Sequence, residues 1–180
     1  MLESVTQSGE RDIRVHWRFF SLSQVNSKDE GWTVWDAPES EPVNGRLAFK
    51  AAEAARRQDA FHPLHMALLN ARHRDKLDIE SQLEVERIAS ESGLDLDRFR
   101  RDLADPSILK SLAEDHEEGR SKHGVFGTPT FVFPNGGAAY VRIRQVASST
   151  EAARILDQIV AVAEREPAIL EIKRPNPPSQ

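Results

Sequence analysis

The 180-residue chain carries a formal charge of −5, is 39% apolar and 29% charged, and contains no cysteine. That size suits one domain with room for an insertion and a core that needs no covalent staple. The acidic balance argues against nucleic acid or an anionic membrane as main partner, no apolar run reaches bilayer length, and without a thiol the chain can form no disulfide, thiolate nucleophile or thiolate metal site.

Met1 to Ser8 reads as the last turns of a helix closed by Gly9. The opening MLESVTQSGERD lacks the basic-then-apolar order of a secretion signal, so a cytoplasmic location is expected. Ile13 to Phe19, rich in aromatic and β-branched residues after a turn-like GERD, predicts a strand. Arg18, on the opposite strand face from Trp17, is expected to be solvated. Residues 21–42 form a loop longer than ordinary connections; Trp32 and Trp35 within it either cover a cleft or pin the loop, and pinning is the commoner case. NGR at Asn44 to Arg46 is a turn and helix start, since no glycine pattern there follows a strand as a phosphate loop requires.

A wholly helical block follows. Leu47, Ala48, Ala51 and Ala55 share one face of a first helix. Phe61, Leu64, Leu68 and Leu69 mark a second, with Pro63 tolerated in its opening turn. Leu83, Ile88 and Ala89 mark a third, ended by Gly93, and a short fourth opens at Asp95. Asp105 as cap with Pro106 next to it starts the fifth, and Gly124 stops it. AEDHEEGRSKHG, near the end of that helix, is a charge run of the kind that forms a solvated face. His62, His65 and His73 on one helix, and His116 and His123 on another, have spacings that could suit a metal; with no partner carboxylate in register for His62 and His65, partly exposed polar positions are the better reading, and no metal or catalytic residue is assigned.

The most informative stretch is GVFGTPTFVFPNG, Gly124 to Gly136. Pro129 enters an apolar run, Thr130 to Phe133, and PNGG turns it back into Ala138 to Ile143, which makes a β-hairpin. Ser148 with Glu151 three residues on is a capping box; the helix it opens is expected to bury Ala152, Ile155, Leu156, Ile159 and Val162. The tail beyond residue 166 is expected to be disordered at its end.

A mid-chain helical block, then G-T-P-T-F entering a hairpin, then a last helix, resembles the DsbA-like branch of the thioredoxin superfamily, and within it the cytoplasmic group of FrnE-type dithiol isomerases and 2-hydroxychromene-2-carboxylate isomerases. VHWRFFSL is similar to the family's second core strand and HGVFGTPTFVF to its cis-proline loop and third strand. The fold class this implies is α/β: a thioredoxin-like fold formed by residues 1–42 and 124–166, with a helical insertion at 43–123 and a tail at 167–180. It also implies a cis bond at Thr128–Pro129, the alternative being a trans proline at a sheet edge. Substrate would then be held at Gly127, Thr128 and Pro129, with His123 nearby.

The family places a strand and a Cys-x-x-Cys, or a serine variant, ahead of the helix with which this sequence opens, so the first βα unit is read as missing. A start codon assigned too far downstream, closing up of the remaining strands, and a second chain filling the gap are the three explanations, the first preferred. The function implied is thiol–disulfide exchange or glutathione-assisted isomerisation, with the sulfur chemistry supplied from upstream. The rival is a non-catalytic module that binds extended peptides or a thiol-containing small molecule at the cis-proline edge. The chain is further expected either to form a homodimer through exposed strand edges or to be loosely packed, and not to be a compact monomer.

Overall fold

The structure, a computed structural model, describes residues 1–173; the expectation of a disordered end at 174–180 lies outside them. Its elements are α1 Leu2–Ser8, α2 Leu22–Asn26, α3 Arg46–Arg56, α4 Phe61–His73, α5 Gln82–Glu91, α6 Leu96–Ala104, α7 Ser107–His123, β1 Thr130–Val132, β2 Ala138–Tyr140 and α8 Ser149–Ala163. They fall into two compact units. One contains Met1–Trp17 together with the chain from His123; the other is Arg18–Lys122.

The Arg18–Lys122 unit is helical, and its boundaries follow local chemistry. Ser81 and Asp95 cap α5 and α6 by accepting the N–H of Glu84 and Arg98, and the Asp105 carboxylate takes the Ser107 N–H at 2.9 Å where α7 begins. Such caps satisfy donors that no helical carbonyl can reach. Leu64, Val85, Phe99, Ile108 and Leu112 are wholly enclosed, and the alanine face of α3 packs against them as part of one core. The face expected for α5 is corrected at one residue: Leu83 is 78% exposed, and Val85 lies inside with Ile88 and Ala89 instead.

The strand expected at Ile13–Phe19 does not form. Residues 12–20 carry no ladder among the described residues, and the first of the two units ends within them, at Trp17. In place of a neighbouring strand, two consecutive side chains of α7 take the backbone donors. Phe19 N–H donates to Asp115 Oδ2 at 3.1 Å, and Ser21 N–H to His116 Nδ1 at 3.1 Å. Asp115 and His116 are therefore buried, which corrects the solvated face expected for that charge run. Arg18 is exposed, as expected, but ion-paired to Asp115 at 2.8 Å.

The loop at 21–42 contains the short α2 and is pinned from both ends. Gln24 accepts the Val34 N–H and donates to the Trp32 carbonyl; Trp32 Nε1 donates to Glu41, and Trp35 packs against the core. The buried Arg46 guanidinium donates to the carbonyls of Val34, Ala37, Pro38 and Glu41 at 3.5, 2.7, 2.8 and 3.2 Å. A charge can stay buried when its donors are met in this way.

In the other unit, α1 lies against α8 around Val5, Ala152, Ala153 and Leu156. Arg11 and Asp157 add a two-pronged ion pair. The Ser148 cap holds the Glu151 N–H, and the Glu151 carboxylate returns to the N–H of Ala147 rather than of Ser148. The antiparallel hairpin pairs Thr130 with Tyr140, Phe131 with Ala139 and Val132 with Ala138. Its turn is tied to the end of α8 by Asn135 Nδ2 donating to the Glu164 carbonyl at 2.6 Å. Gly137 is required there: a Cβ would stand 2.7 Å from the Ala163 carbonyl oxygen.

Candidate functional site

The loop between α7 and β1 is where the sequence places its substrate residues. Gly124, at φ 63°, stops α7 in the left-handed region. The Thr128–Pro129 peptide is cis, as expected. Gly127 is buried, its carbonyl accepts the Thr130 hydroxyl at 2.7 Å, and a Cβ on it would come within 3.3 Å of the Tyr140 ring. Pro129 sends its carbonyl to the Val141 N–H at 3.1 Å. Thr128 is exposed and makes no hydrogen bond among the described residues.

Three of the four residues expected at the site thus sit together in one loop. His123, the fourth, ends α7 half-buried; no hydrogen bond or ring contact joins it to residues 127–129 among the described residues.

The hairpin register decides what the loop leads into. Pro129 and Phe133 exchange hydrogen bonds with the second strand, at Val141 and Gly137. Backbone polar groups alternate in direction along a strand, so Thr130 and Val132 turn their N–H and C=O away from β2. No strand pairs with that side among the described residues. The result is an open edge, a row of donors and acceptors that an extended chain can complete.

Sequence reasoning missed the apolar groups beside this edge. Thr130, Val132, Ala138 and Tyr140 share one face of the hairpin by register. Phe126 packs on Tyr140 with ring centroids 5.3 Å apart, and Phe126, Val132 and Tyr140 are 68%, 42% and 39% exposed. The one signal was an aromatic residue set between two glycines in GVFG, together with the chain's single tyrosine.

The histidines weighed in the sequence do not assemble. Among the described residues no group of three His, Asp or Glu side chains could hold a metal ion. His65 stacks on Phe61 at 5.0 Å, and burial, reinforced by the charges of His62 and Arg56, lowers its pKa to about 4. Burial also lowers that of His116, helped by Arg120 and opposed by Glu117.

Two curated proteins are similar to part of the chain. The Na(+)/H(+) antiporter NhaA 3 of Salinispora tropica is 42% identical over 124 residues, and the Na(+)/H(+) antiporter NhaA 1 of Salinispora arenicola 42% over 125 residues; each match covers 69% of this chain. The chain spans only 16% of the length of these relatives, and among its described residues no helix is long and apolar enough to cross a membrane. The family model of the DsbA-like thioredoxin domain matches residues 2–151. With a cis-proline loop opening a hairpin, a helical unit before it and a helix after, the chain has the DsbA-like thioredoxin fold and belongs to the DsbA-like thioredoxin domain family.

Proposed function

We propose that this chain is the substrate-holding part of a DsbA-like domain of the FrnE and 2-hydroxychromene-2-carboxylate isomerase type, and that it binds an extended peptide along the open edge of β1. The observation that carries this reading is the row of outward-facing backbone groups at Thr130 and Val132, continued by the unbonded Thr128. Main-chain pairing there supplies affinity, and the neighbouring face of Phe126, Val132 and Tyr140 favours apolar side chains at alternate peptide positions. Gly127 keeps the Tyr140 ring close beneath the loop.

With no cysteine among the 180 residues, these residues supply no attacking thiolate. Thiol–disulfide exchange on a held peptide, or isomerisation with a thiol such as glutathione, draws its sulfur from elsewhere. A cytoplasmic site of action and pairing of two copies through strand edges belong to the same reading.

A second reading rests on the relatives. Proteins named Na(+)/H(+) antiporters contain a stretch 42% identical to this one, which favours a binding module working beside a membrane transporter. Transport itself is not carried over from a match to 16% of their length.

The test is an amide-resolved NMR titration with a cysteine-containing extended peptide, its serine analogue, and glutathione. Peptide binding should shift the amides of Thr128, Thr130 and Val132. Val132→Pro removes an outward N–H without touching the ladder and should weaken peptide binding at least tenfold. Shifts confined to the Arg18–Lys122 unit, or full affinity in Val132→Pro, would refute edge pairing. A response to the cysteine peptide and glutathione but not to the serine analogue would make the ligand a thiol. In a turbidity assay with dithiothreitol, the purified chain should not accelerate insulin reduction.

A further inference from the structure

His116 holds a place that the peptide-binding reading does not use. It is 2% exposed and lies against the ring of Phe20, with centroids 4.5 Å apart, and that of Trp35, at 5.7 Å. Its Nδ1 accepts the Ser21 N–H at 3.1 Å. An acceptor at Nδ1 must carry a lone pair, so the ring is neutral with its proton on Nε2. Nε2 is buried and has no hydrogen-bond partner among the described residues.

Ser21 is the first link of a chain of contacts. Its hydroxyl accepts the Gln24 N–H and so caps α2. Gln24 in turn accepts from Val34 N–H at 2.8 Å and donates to the Trp32 carbonyl at 3.3 Å. One imidazole lone pair thus stands at the head of a series that ends in the tryptophan-bearing loop.

We propose that His116 is a proton-operated latch: neutral, it holds Ser21 and, through it, the start of α2 and the Gln24 side chain that grips Trp32 and Val34; protonated, it releases them. Adding a proton at Nδ1 sets one donor against another at hydrogen-bond distance and leaves a buried cation with no acceptor on either nitrogen. The proton comes from solvent and no covalent bond changes.

The charges around the ring set how readily this happens. On α7, Arg120 opposes protonation and Glu117 favours it, while Asp115 is engaged by Arg18 and the Phe19 N–H. From α3, Glu53 lies close enough to Asp115 for their charges to interact. Segment 18–21 brings only Arg18 as a charge, and the loop brings the Trp35 ring.

The test reads amide hydrogen exchange at pH 7.5 and 5.5 in the whole chain carrying His65→Gln and wild type at position 116, so that the titration of His65, whose folded pKa lies at about 4, does not lower protection throughout the helical unit. A histidine of ordinary pKa when released, and neutral when latched, makes opening about tenfold more favourable at pH 5.5 than at pH 7.5. Protection factors at Ser21, Gln24 and Val34, corrected for intrinsic rates, should fall about tenfold, while those within α5 and α6 hold. His116→Asn offers an amide oxygen in the place of Nδ1 and cannot titrate there; in it the fall should vanish. Unchanged protection at Ser21 and Gln24 with His116 in place, or an equal fall in α5 and α6, would overturn the proposal. So would a tenfold fall that persists in His116→Asn. If that variant does not fold, the comparison between the latch and α5 and α6 with His116 in place decides alone.

Discussion

Asp115→Ala removes one end of the joint that replaces a strand ladder. Oδ2 of Asp115 is the acceptor for the Phe19 N–H at 3.1 Å, and both residues are buried. Leaving that N–H without an acceptor costs about 1–3 kcal/mol. The same carboxylate pairs with Arg18 at 2.8 Å through Oδ1, but the Arg18 side chain is 65% exposed, so this arm adds roughly 0–1 kcal/mol. Relief of repulsion on the buried Glu53, whose pKa burial raises and Asp115 raises further, offsets a part. The expected loss is about 2 kcal/mol, which for a urea slope of about 2 kcal/mol/M moves the midpoint by about 1 M. Asp115→Asn keeps an acceptor and should lose under about 1 kcal/mol, as should Arg18→Ala. Urea unfolding followed by circular dichroism separates these. If Arg18→Ala matches Asp115→Ala, the joint is an ion pair and the account of the backbone donor is wrong. If Asp115→Ala costs under about 0.5 kcal/mol, Phe19 N–H finds another partner.

Three other substitutions probe the two units separately. Phe99→Ala opens a cavity in a wholly enclosed site of the helical unit and should cost about 3–5 kcal/mol in the same urea assay. Gly137→Ala drives a Cβ to 2.7 Å from the Ala163 carbonyl, so it should strip amide protection from the hairpin and the end of α8 while leaving α5 and α6 protected. His65 carries a folded pKa lowered to about 4 from 6.5. A depressed histidine binds its proton less readily when folded, so its contribution is complete above about pH 6.5 and is lost as pH falls from there to about 4, by at most about 3 kcal/mol. His65→Gln should flatten that limb of the stability profile by close to one proton; an unchanged slope would show that the ring titrates normally.

What was legible in the sequence is what local chemistry decides. Caps at Asp95, Asp105 and Ser148, the stop at Gly124 and the PNGG turn each act within a few residues, and each stands where the spacing puts it. The cis bond at Thr128–Pro129 was reached only through the family likeness of the G-T-P-T-F stretch. Ile13–Phe19 has the composition of a strand, but a strand also needs a partner, and no composition shows one; here the donors of Phe19 and Ser21 are met by side chains 96 and 95 residues away. Asp115 and His116 were hidden for the same reason. Inside EDHEEGR they look like solvent-facing charge, and only the segment laid against them makes them interior. Phe126 and Tyr140 went unread because exposed aromatic residues interrupt no periodicity.

The division into two units has a consequence for how the chain assembles. The helical unit is one continuous stretch, and a contact such as that of Glu86 with Arg100 closes a span of 14 residues. The other unit is discontinuous: Arg11 must find Asp157 across 146 residues. Closing a span ten times longer costs about 2 kcal/mol more in chain entropy when the intervening segment is unfolded. Once the helical unit has formed, its stretch is no longer a flexible loop and much of that cost has already been met. On the ribosome α1 emerges well before α8, so α1 waits, unpaired, through the synthesis of everything between them. The helical unit therefore sets the pace of folding, and lesions in its core, such as Phe99→Ala, should slow the docking of α1 on α8 although neither helix contributes to that core.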